Sequence, residues 1–164
     1  MIFVTVGNMD PFDRLIKSVD QWIADYPTGE KVFAQIGVGV YQPVNCEFVP
    51  FLTPAEYRDI FQKSRIVVSH AGMGTIITAL ELLKPIIIMP KLASLGEQRN
   101  DHQLATVRHF QRSKQIIVAD SEKDLPEVLN RALSGDAAEG VNGLTESAWQ
   151  PDESLINYIR AFVS

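Results

Sequence analysis

With 164 residues, 46% of them hydrophobic, the chain is long enough for one well-buried domain and too short for two full ones. A formal net charge of -5, with no basic stripe, excludes the electrostatic footprint of a nucleic-acid binder. The single cysteine, Cys46, excludes a disulfide framework and suits a reducing compartment. No apolar run approaches the roughly 18 residues of a membrane span.

The opening run, Met1 to Val6, is too short and too uncharged at its front for a signal peptide. It reads as a first buried strand over Ile2–Val6. Gly7-Asn8-Met9 follow, and Asp10-Pro11 has the spelling of an N-cap with proline at the first helical position, predicting a helix to about Asp25. A strand over Lys31–Ile36 runs into Gly37-Val38-Gly39, and a short strand is expected over Glu47–Val49. Thr53-Pro54-Ala55-Glu56 is a capping box, opening a helix that ends near Lys63.

Next comes Ile66 to Pro90. An apolar strand, Ile66–Val68, ends in Ser69-His70, and a small-residue loop, Ala71-Gly72-Met73-Gly74, leads to a helix from Thr75 to Leu83. Lys84-Pro85 stops that helix, and a β-branched strand follows over Ile86–Met89. Further on, Gln98–Phe110 reads as a helix and Gln115–Val118 as a strand, and Ser121 with Asp124 caps a helix to Leu133. Continuous apolar strands alternating with helices imply an α/β fold, a Rossmann-like, doubly wound parallel sheet of about six strands over residues 1–134. Residues 135–150 are small and polar and read as a linker or ordered loop. Residues 151–164 resume helical spacing, with Leu155, Ile156, Ile159, Phe162 and Val163 near one face that docks on its own sheet or on a partner.

In such a sheet ligands bind outside the carboxyl ends of the strands. There the chain places Gly7-Asn8, Gly37-Val38-Gly39, Ser69 to Thr75 and a long loop from Pro90 to Gln103. The Ser69–Thr75 loop joins a strand to a helix N-terminus, where free amides and the helix dipole favour an anion, with His70 and Thr75 as side-chain donors. It is not a P-loop, because no lysine precedes Thr75, and it lacks the three glycines of a dinucleotide fingerprint. On the glycines alone, Gly72 and Gly74 serve either backbone geometry or an anion; His70 and the later Asp101-His102-Gln103 favour the anion. Glu97, Asp101, His102 and Gln103 are of the types that recognise sugar hydroxyls, while Asn100 or Asp101 also suits an N-cap.

The segments FVTVGN…FDRLI, SHAGMGT and SLGEQRNDHQ, in this order, resemble the C-terminal, nucleotide-sugar-binding half of family 28 glycosyltransferases of two-lobed (GT-B) architecture. The resemblance spans Met1 to about Leu133. It is nearest to the split, two-subunit UDP-sugar transferases of the dolichol pathway and of bacterial exopolysaccharide and capsule synthesis. It implies a single GT-B lobe in which Gly7, Asn8, His70, Gly72, Gly74 and Thr75 hold the donor diphosphate. His102 and Gln103 would reach the donor sugar, and residues near Phe51 would border the base. Relatives place a glutamate where this chain has Thr78, so either Thr78, Glu81 or Glu97 replaces it at the ribose or ribose recognition is weak, with Asp101 also on the sugar or ribose side.

The resemblance further implies the catalytic subunit of a two-component inverting enzyme, moving a sugar from a UDP-sugar to a lipid-linked glycan acceptor. A membrane-anchored partner would bring the acceptor lobe, leaving this chain cytoplasmic and peripherally membrane-associated. No cofactor and no metal are expected. A general base is still required; Asp10 and Asp13 are the candidates, and both are equally good helix N-terminal residues. Two other readings stay open. One is a non-catalytic nucleotide-sugar-binding or regulatory subunit. The other is a UDP-sugar 2-epimerase, which needs a second lobe in the same chain and is disfavoured by the chain's length.

Overall fold

A computed structural model describes residues 1–111 and 116–134, together with position 161. The linker expected over 135–150 and, apart from position 161, the helix expected over 151–164 lie outside the described residues. Six strands form one sheet among the described residues, and every neighbouring pair is parallel. They are β1 (Ile2–Thr5), β2 (Val32–Gln35), β3 (Glu47–Val49), β4 (Ile66–His70), β5 (Ile86–Met89) and β6 (Ile116–Val118). Their spatial order is β3-β2-β1-β4-β5-β6, so the chain winds outward from β1 in one direction and then restarts at β4 in the other.

Alternation along the strands divides the apolar residues between two cores. Ile2 and Val4 of β1, Ile66 and Val68 of β4, and Ile87 and Met89 of β5 face one layer. That layer is built from α1 (Asp13–Asp25) and α5 (Leu125–Ser134). Phe3, Val67, Ile86 and Ile88 face the opposite layer, built from α2 (Pro54–Lys63), α3 (Met73–Glu81) and α4 (His102–Phe110). A strand buried on both faces cannot show hydrophobic-polar alternation, which explains the unbroken apolar spelling of β1, β4 and β5. Trp22 locks α1 to α5: it is 1% exposed, and its indole N–H donates to Asn130 Oδ1 at 2.8 Å.

Three helix starts differ from the sequence reading, and the ends of β1, β2 and β4 shift by one or two residues. α1 begins at Asp13 rather than at Asp10-Pro11, because Phe12 is wholly buried in the first core and sits at the N-cap position with no side-chain cap. α3 begins at Met73, two residues early, with Gly72 as its N-cap, and ends at Glu81. α4 begins at His102 rather than at Gln98, because residues Ala93–Leu95 form a short 3-10 turn and Glu97 and Gln98 bond across the loop.

The capping box at Thr53 forms as spelled: Thr53 Oγ1 accepts from the Glu56 amide, and Glu56 Oε2 accepts from the Thr53 amide at 2.8 Å. Replacing an N-cap threonine by alanine typically costs about 1 kcal/mol. Thr53→Ala should therefore lower the urea unfolding free energy by roughly that amount with an unchanged m-value.

Candidate functional site

The sheet reverses its winding between β1 and β4. The chain leaves β1 toward α1 on one face and leaves β4 toward α3 on the other, so the two loops part and open a crevice. A cavity of about 480 Å³ lies there. Thr5, Gly7 and Asn8 come from the end of β1, and Gln35 from the end of β2. Leu52, Pro54 and Tyr57 form one wall after β3; His70 with Gly74, Thr75 and Thr78 forms the other.

The two loops touch through one ring. Gly7 has φ +78°, and a Cβ there would stand 3.0 Å from His70 Cε1. A Cβ on Gly72 would stand 2.2 Å from His70 Nε2. Both positions therefore need glycine because the imidazole lies against their backbones. Ser69 Oγ is 3.2 Å from His70 Nδ1. Burial pushes the His70 pKa down to about 4, the Lys91 charge pushes the same way, and a hydrogen bond to the Thr5 backbone opposes them. At neutral pH His70 is an uncharged ring whose one N–H is engaged by the Thr5 backbone, not a cationic anchor.

Beyond it, the N-terminus of α3 opens on the cavity. No side chain caps it, and the Ile76 N–H closes the first turn on the Gly72 carbonyl at 3.2 Å. The amides before Ile76 have no acceptor within their own helix. Gly74 has open space where a Cβ would be, so a ligand can approach its backbone. The Thr75 hydroxyl lies 3.5 Å from the Tyr57 hydroxyl, and the Thr78 hydroxyl turns back onto the Gly74 carbonyl at 2.9 Å. Among the described residues no lysine, arginine, aspartate or glutamate lines the cavity. Its direct donors to an anion are the amides of the helix N-terminus and neutral side chains, with the Lys91 charge behind His70.

The Pro90–Gln103 loop lies one strand further along, and its polar residues are tied to each other. Glu97 takes a bidentate pair from Arg14 of α1, Nε and Nη2 each at 2.8 Å, and also accepts from the Leu92 amide at 2.9 Å. Arg14 spends its remaining donors on the Pro90 carbonyl (2.9 Å) and Glu122 (2.7 Å). Asp101 Oδ1 accepts from the Ala93 amide, and Gln103 Oε1 from the Lys91 amide at 3.1 Å. His102 is exposed at the head of α4 with its Nδ1 against Asn100 Oδ1. None of Gly72, Glu97, Asp101, His102 and Gln103 lines the cavity; Gly7, Asn8, His70, Gly74, Thr75 and Thr78 do.

The two candidate bases are also placed. Asp13 Oδ2 accepts from the Val40 amide at 3.2 Å, clamping the β2–β3 connection to the head of α1. The Asp10 carbonyl accepts from Lys91 Nζ at 2.6 Å. Neither residue lines the cavity. Glu81 is the last residue of α3, about 10 Å along the axis from Gly74. Phe51 is half exposed beside Leu52 of the wall.

Of the cavity-lining residues, Thr5, Gln35, Leu52, Pro54 and Tyr57 carried no site assignment in the sequence, and neither did Lys91 beside His70. Gln35 is a polar residue closing an apolar strand at its carboxyl end, and that position was the available signal. Lys91, two residues past the β5 end, is 3% exposed and near enough to His70 for its charge to act there. Burial pushes its own pKa down.

A doubly wound parallel sheet with an anion-favouring helix N-terminus at its switch point defines a nucleotide-binding class of fold. The family model described as "Glycosyltransferase family 28 C-terminal domain" matches residues 1–148, and the chain belongs to that family. No curated protein matches it. Among solved structures it is similar to ALG13 in solution, at 21% identity over 81% of this chain and 85% of that one, with a TM-score of 0.56. It is also similar to the UDP-GlcNAc 2-epimerase from Neisseria meningitidis bound to UDP-GlcNAc (12% identity, 99% of this chain, TM-score 0.60). A third neighbour is the glycotransferase of kitacinnamycin (18% identity, 89% of this chain, TM-score 0.56). These likenesses speak to the fold. The chain spans 44% of the epimerase and 38% of the kitacinnamycin enzyme. Among the described residues no helix is long and apolar enough to cross a membrane.

The depressed His70 pKa sets a testable pH dependence. The unfolded chain binds a proton near pH 6.5 that the folded chain refuses until about 4, so stability falls as pH drops through that window. His70→Gln should melt with a shallower slope between those pH values, read as the difference in melting temperature from the unmodified protein at each pH.

Proposed function

We propose that this chain is the donor-binding, catalytic subunit of a two-component inverting glycosyltransferase. It takes a UDP-sugar and serves transfer to a lipid-linked glycan. The observation that carries the reading is the uncapped α3 N-terminus facing the switch-point cavity, with Gly74 open to a ligand backbone approach. A diphosphate there accepts from the first-turn amides and the Thr75 hydroxyl, with the His70 ring at its flank, and the same donors stabilise it as it departs. The nucleoside extends along Leu52 and Tyr57 with Phe51 at the mouth. The sugar lies toward the head of α4, at His102 and Gln103.

Membership of a family described as a C-terminal domain supports a second lobe, and so does the matched length of ALG13 beside the much longer two-lobed neighbours. The exposed apolar side chains Met9, Val38, Val40, Phe51 and Leu95 all stand on loops at the carboxyl edge of the sheet, where such a lobe would close over the cavity. In this reading the lobe belongs to a membrane-anchored partner that brings the acceptor, and the chain is cytoplasmic and membrane-associated through it. The absence of a carboxylate among the cavity-lining residues favours a base supplied from that side. The same observation supports the second reading, a nucleotide-sugar-binding or regulatory subunit that transfers nothing.

Two measurements test this. Titration calorimetry should show UDP binding that weakens about tenfold or more in Thr75→Ala, since losing a hydrogen bond to a charged group costs roughly 1.5–3 kcal/mol. Unchanged affinity would remove the diphosphate from the α3 N-terminus. Transfer assays should find the chain inactive alone and active with the acceptor-lobe partner. Binding of a UDP-sugar without transfer in the assembled complex would favour the regulatory reading.

A further inference from the structure

One carboxamide sits where three cavity loops meet. Gln35 is 2% exposed, and its Oε1 accepts from Thr5 Oγ1 at 2.5 Å. Its Nε2 faces three oxygens: the Gly7 carbonyl at 3.2 Å, the Pro50 carbonyl at 3.3 Å and Asn8 Oδ1 at 2.9 Å. Two of these are backbone carbonyls, which can only accept, so the nitrogen end of Gln35 must lie on their side. A flipped carboxamide would set three acceptors against one another.

That fixes the neighbour. Because Gln35 presents a donor, the atom of Asn8 turned to it must be the oxygen, and Asn8 Nδ2 is left pointing away. Asn8 is exposed and lines the cavity, and no described residue accepts from its Nδ2. We infer that Gln35 is a positioning residue that holds Asn8 with its amide nitrogen toward the cavity, where it donates to the diphosphate of a bound nucleotide. The inference rests on the nucleotide reading above and adds a donor on the β1 side, opposite the α3 N-terminus. The diphosphate is thereby held from both sides of the switch point by groups that carry no charge.

The decisive variant is Asn8→Asp. It keeps an oxygen for Gln35, and a charged one makes the stronger acceptor, so the protein should melt no lower than the unmodified chain. Its second oxygen replaces a donor by a negative charge facing the diphosphate. UDP affinity by calorimetry should fall at least about tenfold, and further than in Asn8→Ala, which removes the donor without adding charge. Inorganic pyrophosphate should follow the same order. Asn8→Asp binding UDP as tightly as the unmodified protein would overturn the orientation. If the unmodified protein binds pyrophosphate but not UDP, the nucleotide reading fails while the amide donor stands. If it binds neither, both fall.

Gln35→Glu supplies a readout that packing alone would not move. An ionised carboxylate against three acceptors forces the Asn8 amide to turn round, whereas a protonated one still offers a donor. The titratable groups facing this position are Tyr57 of α2, raised by burial, and His70 of β4, held near 4, so both stay neutral from about pH 5.5 to 8. The variant's UDP affinity relative to the unmodified protein should therefore recover as pH falls across that range. A ratio flat in pH would mean that Gln35 only fills space.

Discussion

Everything at the site depends on the parting of two parallel strands that are hydrogen-bonded neighbours. β1 and β4 pair in register from Ile2–Ile66 to Thr5–Ser69, and their chains must then leave to opposite layers because α1 belongs to one core and α3 to the other. The crevice is thus a product of topology, present before any side chain is chosen, and the side chains decide only what it holds. His70 bridges the gap at its base, and the glycines at positions 7 and 72 exist to let the ring in.

Around that gap the loops are fastened by two polar hubs of different kinds. Gln35 joins the β1 and β3 loops with neutral hydrogen bonds, buried at Thr5 and partly buried at Gly7, Asn8 and Pro50. Arg14 joins the head of α1 to the Pro90–Gln103 loop and to Glu122 before α5, with Phe12 beneath its guanidinium at 5.3 Å. The Arg14–Glu97 side chains are 14% and 9% exposed, so losing either partner would leave a poorly hydrated charge behind. Asp20 does the same service for the β2–β3 connection. Burial alone would raise its pKa, but the Tyr41 hydroxyl and the amides of Asn45 and Val44 outweigh it and hold the carboxyl below its ordinary value.

The fold was legible in the sequence because parallel strands announce themselves as unbroken apolar runs; β3 and β5 fall on the bounds read from the sequence, and the Thr53 box caps α2 as spelled. The helix starts were not. Asp10-Pro11 and Gln98 have good local credentials, and tertiary demands overrode both: the burial of Phe12, and the use of Glu97 and Gln98 as loop staples. Around the cavity, the glycine loop and the Gly7-Asn8 segment could be read because such loops have recognisable spelling. Gln35 and Lys91 could not, since each matters through atoms 15 to 81 residues distant in the chain. The acidic and amide residues of the long loop are legible only by type. Their types suit hydroxyl recognition, but the sequence could not show that oxygens of Glu97, Asp101 and Gln103 also accept from backbone amides of the same loop.

A cavity lined by no ionic side chain has a consequence for how its occupant comes and goes. Long-range attraction between a basic pocket and a nucleotide is screened over roughly 8–10 Å of electrolyte, so such pockets capture quickly in dilute buffer and poorly in salt. Here the lining offers peptide amides and hydroxyls at contact distance, inside the reach of screening, and the one cation close by, Lys91, is buried. Capture of an anion should then owe more to diffusion and shape than to steering, and occupancy should track its concentration over a wide range of ionic strength, where a purely coulombic trap would be filled by whatever anion came first.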